Sequence, residues 1–283
     1  AKRSIMPPMT ELTDPSGTQI PRGTQTFLIR PVTALRKTVF RLGLSASAGL
    51  DAAGVREALE GPVRYLFWNP SNKSISEALR HVVHKDRERY VIATGPVLGY
   101  FGGSVRRAAE RALRVLGSDY LDVLQLFWAG RMSALTGSTL GELVKLREEG
   151  KVRAIGVSIH DRKRAGRLAL DSPLDLLMVR YNAAHPGAEQ DIFPHLEQRK
   201  PAIVAYTATS WRKLLRRPSG WKGPVPTAGD CYRFCLTSPH VDIVLTAPKN
   251  RAELSENLAA LDKGPLSEEE LRSMYEFGRV VHG

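Results

Sequence analysis

Eight short, nearly continuous apolar runs, each followed by a longer segment of helical spacing, recur along this chain and restrict its fold more than any other feature. The runs are Val39–Leu44, Val63–Trp68, Tyr90–Thr94, Asp122–Phe127, Val152–Ser158, Leu174–Arg180, Ala202–Tyr206 and Val241–Leu245. A strand half exposed to water alternates apolar and polar residues, whereas one covered on both faces stays apolar, so these runs predict a parallel sheet. The segments between them read as crossover helices. Ser104 is placed to cap a helix carrying Val105, Ala109, Ala112, Leu113 and Leu116 that stops at Gly117, and Gly141–Glu149 and Ser267–Phe277 follow the same pattern. Eight such units without a change of composition predict an α/β protein closed as a (β/α)8 TIM barrel, and 283 residues suit one such domain. Residues 1–27, rich in Pro, Thr, Ser and Gly and without a period, read as an extended or mobile arm ahead of a barrel over 28–283.

Composition removes several classes of function. No apolar run approaches the roughly 20 residues that span a bilayer, which argues against a membrane role. Lys2 and Arg3 are followed by no hydrophobic leader region, so the expectation is a cytoplasmic protein. The net charge of +12 invites a nucleic-acid reading. The cations are nevertheless scattered, with short runs at 162–164 and 212–217 and no interleaved aromatic platform, a pattern that fits a solvated basic surface or an acidic protein partner better than a nucleic acid. Cys231 and Cys235, four apart in a predicted helix, read as a buried reduced pair, and no Cys/His cluster has metal-ligand spacing.

In this fold reactive groups gather at the carboxyl ends of the strands. There the chain places Ser45, Asn69, Gly95, Phe127 and Trp128, Ser158 and His160, Tyr181 and Asn182, Tyr206 and Thr207, and Thr246. Such a mouth is polar but lacks the paired carboxylates of a glycosidase and the His/Asp/Glu cluster of a metal hydrolase. His160 is suited to move a proton near neutral pH, while His185 reads as a polar loop residue. The loop Gly99–Ser104 lacks the spacing of a phosphate-binding fingerprint and reads as a flexible connection. Lys249-Asn250-Arg251, just before a helix, is a candidate phosphate cradle, since cationic side chains and the helix dipole have the same sign there.

The stretches Arg111–Leu126 and Glu148–Ser158, followed in order by Arg180–Asn182, Ile203–Thr207 and Leu254–Leu258, resemble the aldo-keto reductase superfamily over about residues 35–280. The resemblance implies NADP(H) in the barrel mouth beside a small-molecule ligand. It implies Tyr206 against nicotinamide, Ser158 at its carboxamide, Glu256 and Asn257 at adenine, and Lys249, Asn250 and Arg251 facing the ribose phosphate. It also implies a catalytic tetrad of Asp, Tyr, Lys and His, whose expected positions here hold Phe67, Asn72, Gly95 and Phe127. Ile159 and Met178 stand where the family carries amide side chains. None of the four replacements can donate a tuned proton, and losing general acid catalysis costs about 10²- to 10⁴-fold. The expectation is a nucleotide-binding but catalytically degenerate barrel, a pseudoenzyme acting as a regulatory or interaction module. The alternatives are an atypical NAD(P)H-dependent oxidoreductase acting on a specialised carbonyl, with His160 as substitute proton carrier, and a basic nucleic-acid-binding barrel.

Overall fold

Eight parallel strands close into a barrel in the computed structural model, which describes residues 27–46 and 49–282. An antiparallel hairpin of β1 (Ile29–Val32) and β2 (Lys37–Phe40) precedes it. The barrel runs β3 (Leu42–Ser45), β4 (Tyr65–Phe67), β5 (Val91–Thr94), β6 (Leu121–Ala129), β7 (Val152–Ile159), β8 (Leu176–Arg180), β9 (Ala202–Tyr206) and β10 (Ile243–Thr246), with β10 pairing back onto β3. Between them lie α1 (Ala52–Glu60), α2 (Lys73–Val83), α3 (Gly102–Leu116), α4 (Gly137–Glu148), α5 (Arg162–Leu170), α6 (Ala188–Asp191) and α7 (Ala228–Thr237). Helices α8 (Arg251–Leu261) and α9 (Glu268–His282) follow the last strand.

The runs are apolar because both faces are covered. One core lies between the strands and the helices, and a second fills the barrel interior with Tyr65, Val91, Ala93, Val123, Leu176, Val204 and Ile243. Val32, Leu35 and Val39 of the hairpin belong to that inner core, so the hairpin plugs the amino-terminal end and leaves the carboxyl end as the mouth. Lys37 at the plug reaches the Asp122 carboxylate at 2.9 Å and the Tyr90 carbonyl at 2.6 Å, and Arg87 reaches the other Asp122 oxygen at 2.7 Å. Burial lowers the Lys37 pKa more than Asp122 raises it.

Two expectations need adjusting. The first apolar run, Val39–Leu44, is divided at Arg41, whose buried guanidinium turns the chain from hairpin to barrel by bonding surrounding carbonyls. Ser104 is not the N-cap of α3: the helix begins at Gly102 after Phe101, and from within the first turn the Ser104 hydroxyl accepts from the Phe101 amide at 3.4 Å and donates to the Phe101 carbonyl at 2.7 Å. The glycine stop holds, with Gly117 at φ 67°. The expected arm, residues 1–27, lies outside the described residues except for Phe27, which is buried with its ring 5.5 Å from the Arg41 guanidinium carbon.

Cys231 and Cys235 are buried and free in α7, where burial pushes both thiols up. Among the described residues no helix is long and apolar enough to cross a membrane, and no group of three or more His, Cys, Asp or Glu could hold a metal ion.

The inner core contains a flaw that a mutation can expose. The Tyr65 hydroxyl is buried without a hydrogen-bond partner among the described residues, and burial drives its pKa far upward. Leaving a donor unpaired in the interior costs about 1–3 kcal/mol. Tyr65→Phe keeps the ring and removes the orphan, so stability measured by urea denaturation should rise by about 1 kcal/mol or more; a loss would show that the hydroxyl has a partner in solution.

Candidate functional site

At the carboxyl ends of the strands the barrel opens into a cavity of about 1050 Å³. Phe67 at the end of β4, Phe127 and Leu245 near the ends of β6 and β10, and Met178 in the middle of β8 form its floor on top of the inner core. The Phe67 and Phe127 rings stack with centroids 6.0 Å apart and planes 16° apart. Gly95 lines the cavity because nothing larger fits: a Cβ there would stand 1.9 Å from the Gln125 carbonyl oxygen. Asn72 lies away from the cavity wall and caps α2, accepting from the Ile75 amide at 3.2 Å. Of the four positions at which the resemblance leads one to expect the tetrad, Phe67, Gly95 and Phe127 therefore meet at the mouth, where they present two aromatic rings and a backbone.

His160 sits between the end of β7 and α5, whose cap Asp161 accepts from the Arg164 amide at 2.9 Å and so fixes where the preceding residue projects. Its Nε2 is 2.9 Å from the Tyr206 hydroxyl, and its ring packs 5.3 Å from Trp128. Burial, then Arg180 and Arg131, lower the His160 pKa, while burial pushes the Tyr206 phenol up to about 12. At neutral pH His160 is thus neutral and Tyr206 protonated, so the hydroxyl donates to Nε2. Ser158 lines the cavity nearby.

Across the barrel, after β10, the wall turns polar. Asn257 of α8 is buried and donates from Nδ2 to the Thr246 hydroxyl at 3.2 Å, which in turn donates to Tyr232 at 2.9 Å. Lys249, Glu253 and Glu256 also line this sector. Of the three residues of the expected phosphate cradle, only Lys249 lines the cavity. Asn250 caps α8, accepting from the Glu253 amide at 2.9 Å, and Arg251 lies 3.5 Å from Glu57 and 3.9 Å from Asp51 over α1.

Sequence reasoning placed Thr207 at the mouth but missed the conformation of the loop it begins after β9. Thr207, Ser210, Trp211 and Arg212 all have positive φ, from 48° to 68°, a region that costs a non-glycine residue roughly 1 kcal/mol or more. Asn182 Nδ2 holds the loop base by donating to the Thr207 carbonyl at 2.7 Å, and Arg212 bonds Glu253 of α8 at 3.4 Å beside the opening. In sequence Arg212 was part of a basic run and nothing more. The one available signal was position, since the loop follows a strand end.

His185 stands apart from the mouth. It bonds Asn182 through Nδ1 at 3.1 Å, and burial with neighbouring cations pulls its pKa down to about 4. The Gly99–Ser104 loop carries no polar contact into the cavity; its Gly99 instead pairs with Met132 and Ala134 backbone groups.

Comparison with known proteins places these features in a family. The model of the aldo/keto reductase family matches residues 50–216. The methylglyoxal reductase YeaE of Escherichia coli is 30% identical over 118 residues, 41% of this chain and 41% of that protein. Aldo-keto reductase YhdN of Bacillus subtilis is 24% identical over 145 residues, 48% of this chain and 43% of that protein, so the matches span less than half of these relatives. Among solved structures, the holo form of aldo-keto reductase AKR11C1 from Bacillus halodurans superposes with a TM-score of 0.74 at 19% identity, covering 88% of this chain and 95% of that one. An aldo-keto reductase from Klebsiella pneumoniae in complex with NADPH gives 0.70 at 22% identity, covering 86% and 93%. At these identities the likeness is one of fold.

Proposed function

The chain belongs to the aldo/keto reductase family, and we propose that its barrel mouth binds a nicotinamide dinucleotide, NADP(H), without performing the family's ordinary carbonyl reduction, serving as a regulatory or interaction module. The observation that carries this reading is the division of one cavity into a polar sector after β10, with Lys249 and Arg212 beside Glu253 and Glu256, and an aromatic floor where a proton donor would be needed. The polar sector suits the adenine and phosphate end: Lys249 offers a point charge, Arg212 a fork, and Asn257 a buried amide already oriented by Thr246. Glu256 adds an acceptor for an adenine amine. Tyr206 and Ser158 remain for the nicotinamide end, where Met178 supplies no amide to hold the ring face. The cofactor would supply hydride chemistry, and at the floor Phe67, Gly95 and Phe127 would neither give nor hold a proton for it.

Titration calorimetry tests the reading. NADPH should bind at micromolar affinity, Lys249→Ala should weaken it about tenfold, as expected for one charge-assisted contact, and aldehydes should turn over no faster than about 10⁻² of a competent reductase. Absence of binding by NADPH and NADH alike would overturn it.

One contact favours a second reading, an atypical oxidoreductase acting on a specialised carbonyl. His160 and Tyr206 are the only hydrogen-bonded titratable pair described within the cavity wall apart from those involving Glu253. The upward shift at Tyr206 and the downward shift at His160 both oppose proton donation at neutral pH. Imidazolium forms only below the depressed His160 pKa, so turnover through this pair should rise as the medium becomes more acidic and lose that rise in His160→Ala. Activity indifferent to His160→Ala removes His160 as the proton carrier.

A further inference from the structure

Outside the mouth, and sharing no lining residue with it, a second cavity of about 220 Å³ lies between α5, the turn after β8 and α9. The turn over residues 183–187, with His185 at its centre, lines it together with Arg162, Tyr275, Arg279 and His282. Close packing sets these groups in place. A Cβ at Gly278 would stand 2.1 Å from the Ala183 carbonyl oxygen, so α9 lies directly on the turn, and the His185 and His282 rings meet edge to face with centroids 4.8 Å apart. Gly187 has φ −59°, open to any residue, so what its missing side chain provides is clearance: a Cβ there would stand 2.5 Å from the Arg162 guanidinium carbon. Asn182 gives its Nδ2 to the Thr207 carbonyl, which leaves Oδ1 for His185. Nδ1 of the neutral imidazole therefore donates to it at 3.1 Å, and Nε2 has no hydrogen-bond partner among the described residues.

The charges around this cavity are unmatched. Arg162 gives Nε to Asp191 at 2.8 Å, while its two terminal nitrogens make no hydrogen bond among the described residues. Arg279 is exposed and has neither hydrogen bond nor ion pair among them. The nearby carboxylates are already engaged, Asp191 by Arg162 and Glu189 by the hydroxyls of Tyr181 at 2.6 Å and Tyr275 at 2.5 Å, and neither lines the cavity. Burial, then Arg180, His282, Lys213 and Arg162, hold the His185 pKa down, the mark of positive charge gathered without a counter-charge.

We propose that this cavity is a binding site for a small phosphoryl dianion, inorganic phosphate or the phosphoryl end of a compact ester, held by the Arg162 and Arg279 guanidiniums beside the His185 imidazole. A guanidinium presents its donors as a planar fork that matches two oxygens of such a group, and two forks on one cavity serve a dianion better than a lone carboxylate. Nε2 of neutral His185 is an acceptor for the single P–OH of hydrogen phosphate. The size turns away a dinucleotide, since pockets for drug-sized ligands begin at about 300 Å³. The site stands independently of the nucleotide reading of the mouth.

Titration calorimetry on the full chain, at neutral pH in a phosphate-free buffer of fixed ionic strength, tests it with inorganic phosphate, phenyl phosphate and benzoate. One equivalent of phosphate should bind saturably at sub-millimolar affinity, and benzoate, a monoanion, about tenfold more weakly. Phenyl phosphate bound as tightly as phosphate assigns the site to an ester, and weaker binding assigns it to the free ion. Arg279→Gln, at an exposed position where folding is insensitive, should weaken phosphate about tenfold. Gly187→Ala should also weaken it by pushing the mobile end of Arg162 aside, whereas Lys249→Ala, in the mouth, should leave it unchanged. No saturable phosphate binding, binding that Arg279→Gln and Gly187→Ala both leave untouched, or benzoate bound as tightly as phosphate overturns the inference even if NADPH binds. Phosphate binding that responds to Arg279→Gln in a protein that binds no dinucleotide sustains it and rejects the nucleotide reading instead.

Discussion

Gly95→Ala should lower the melting temperature by about 6–12 °C, the equivalent of about 3 kcal/mol in a domain of this size. The cost is large because the obstacle is main chain. A Cβ at Gly95 would stand 1.9 Å from the Gln125 carbonyl oxygen, and a backbone group cannot rotate aside as a side-chain tip can. Ladder pairs Ala93–Val123 and Thr94–Leu124 immediately before this point lock β5 against β6, so relief requires shifting a strand of the closed barrel. Gly95→Lys, which puts back the residue type that the family resemblance leads one to expect, should carry the same penalty and yield no carbonyl reduction, since Phe67 and Phe127 remain. Differential scanning calorimetry with an aldehyde assay checks both. An alanine variant as stable as the unmodified protein would mean that the strands do not approach this closely.

Arg41→Met should cost about 3–5 kcal/mol in urea denaturation. The Arg41 side chain is buried at the joint between hairpin and barrel, where it donates to the carbonyls of Phe27 at 2.9 Å, Leu236 at 2.9 Å, Val241 at 2.6 Å and Asp242 at 3.3 Å. Methionine fills much of the volume but leaves these acceptors facing apolar atoms. Burial, with Arg30 nearby, pulls the Arg41 pKa down to about 9, which still leaves it charged at neutral pH, so the donors are present under ordinary conditions. Arg41→Lys should recover only part of the loss, because a single ammonium cannot serve carbonyls spread around a planar fork. A full recovery by lysine would assign the effect to charge and not to geometry.

The same two residues show where sequence reading reached and where it stopped. Arg41 lay inside the apolar run Val39–Leu44 and looked like one polar position in a strand. That it ends one element and begins another depends on carbonyls up to 201 residues away, which no local pattern encodes. Gly95 was legible as a replacement for an expected lysine, but not as a place that excludes every side chain. In the site, Phe67, Phe127, Ser158, His160, Tyr206, Lys249, Glu256 and Asn257 do line one cavity, because strand ends in a barrel converge whatever their separation in sequence. Asn72, Asn250 and Arg251 do not, since helix caps and ion pairs with α1 claim them.

By itself the sequence determined the barrel: runs buried on both faces and each followed by a helical segment fit a parallel sheet sheathed in helices, and the count of eight lets that sheet close without an edge. It also determined which side chains would stand at the carboxyl ends. Tertiary structure alone decided what those side chains do together. The Phe67–Phe127 stack, the His160–Tyr206 contact and the left-handed loop at 207–212 each join distant segments, and their distances and backbone strain are set by closure of the whole barrel rather than by any local propensity.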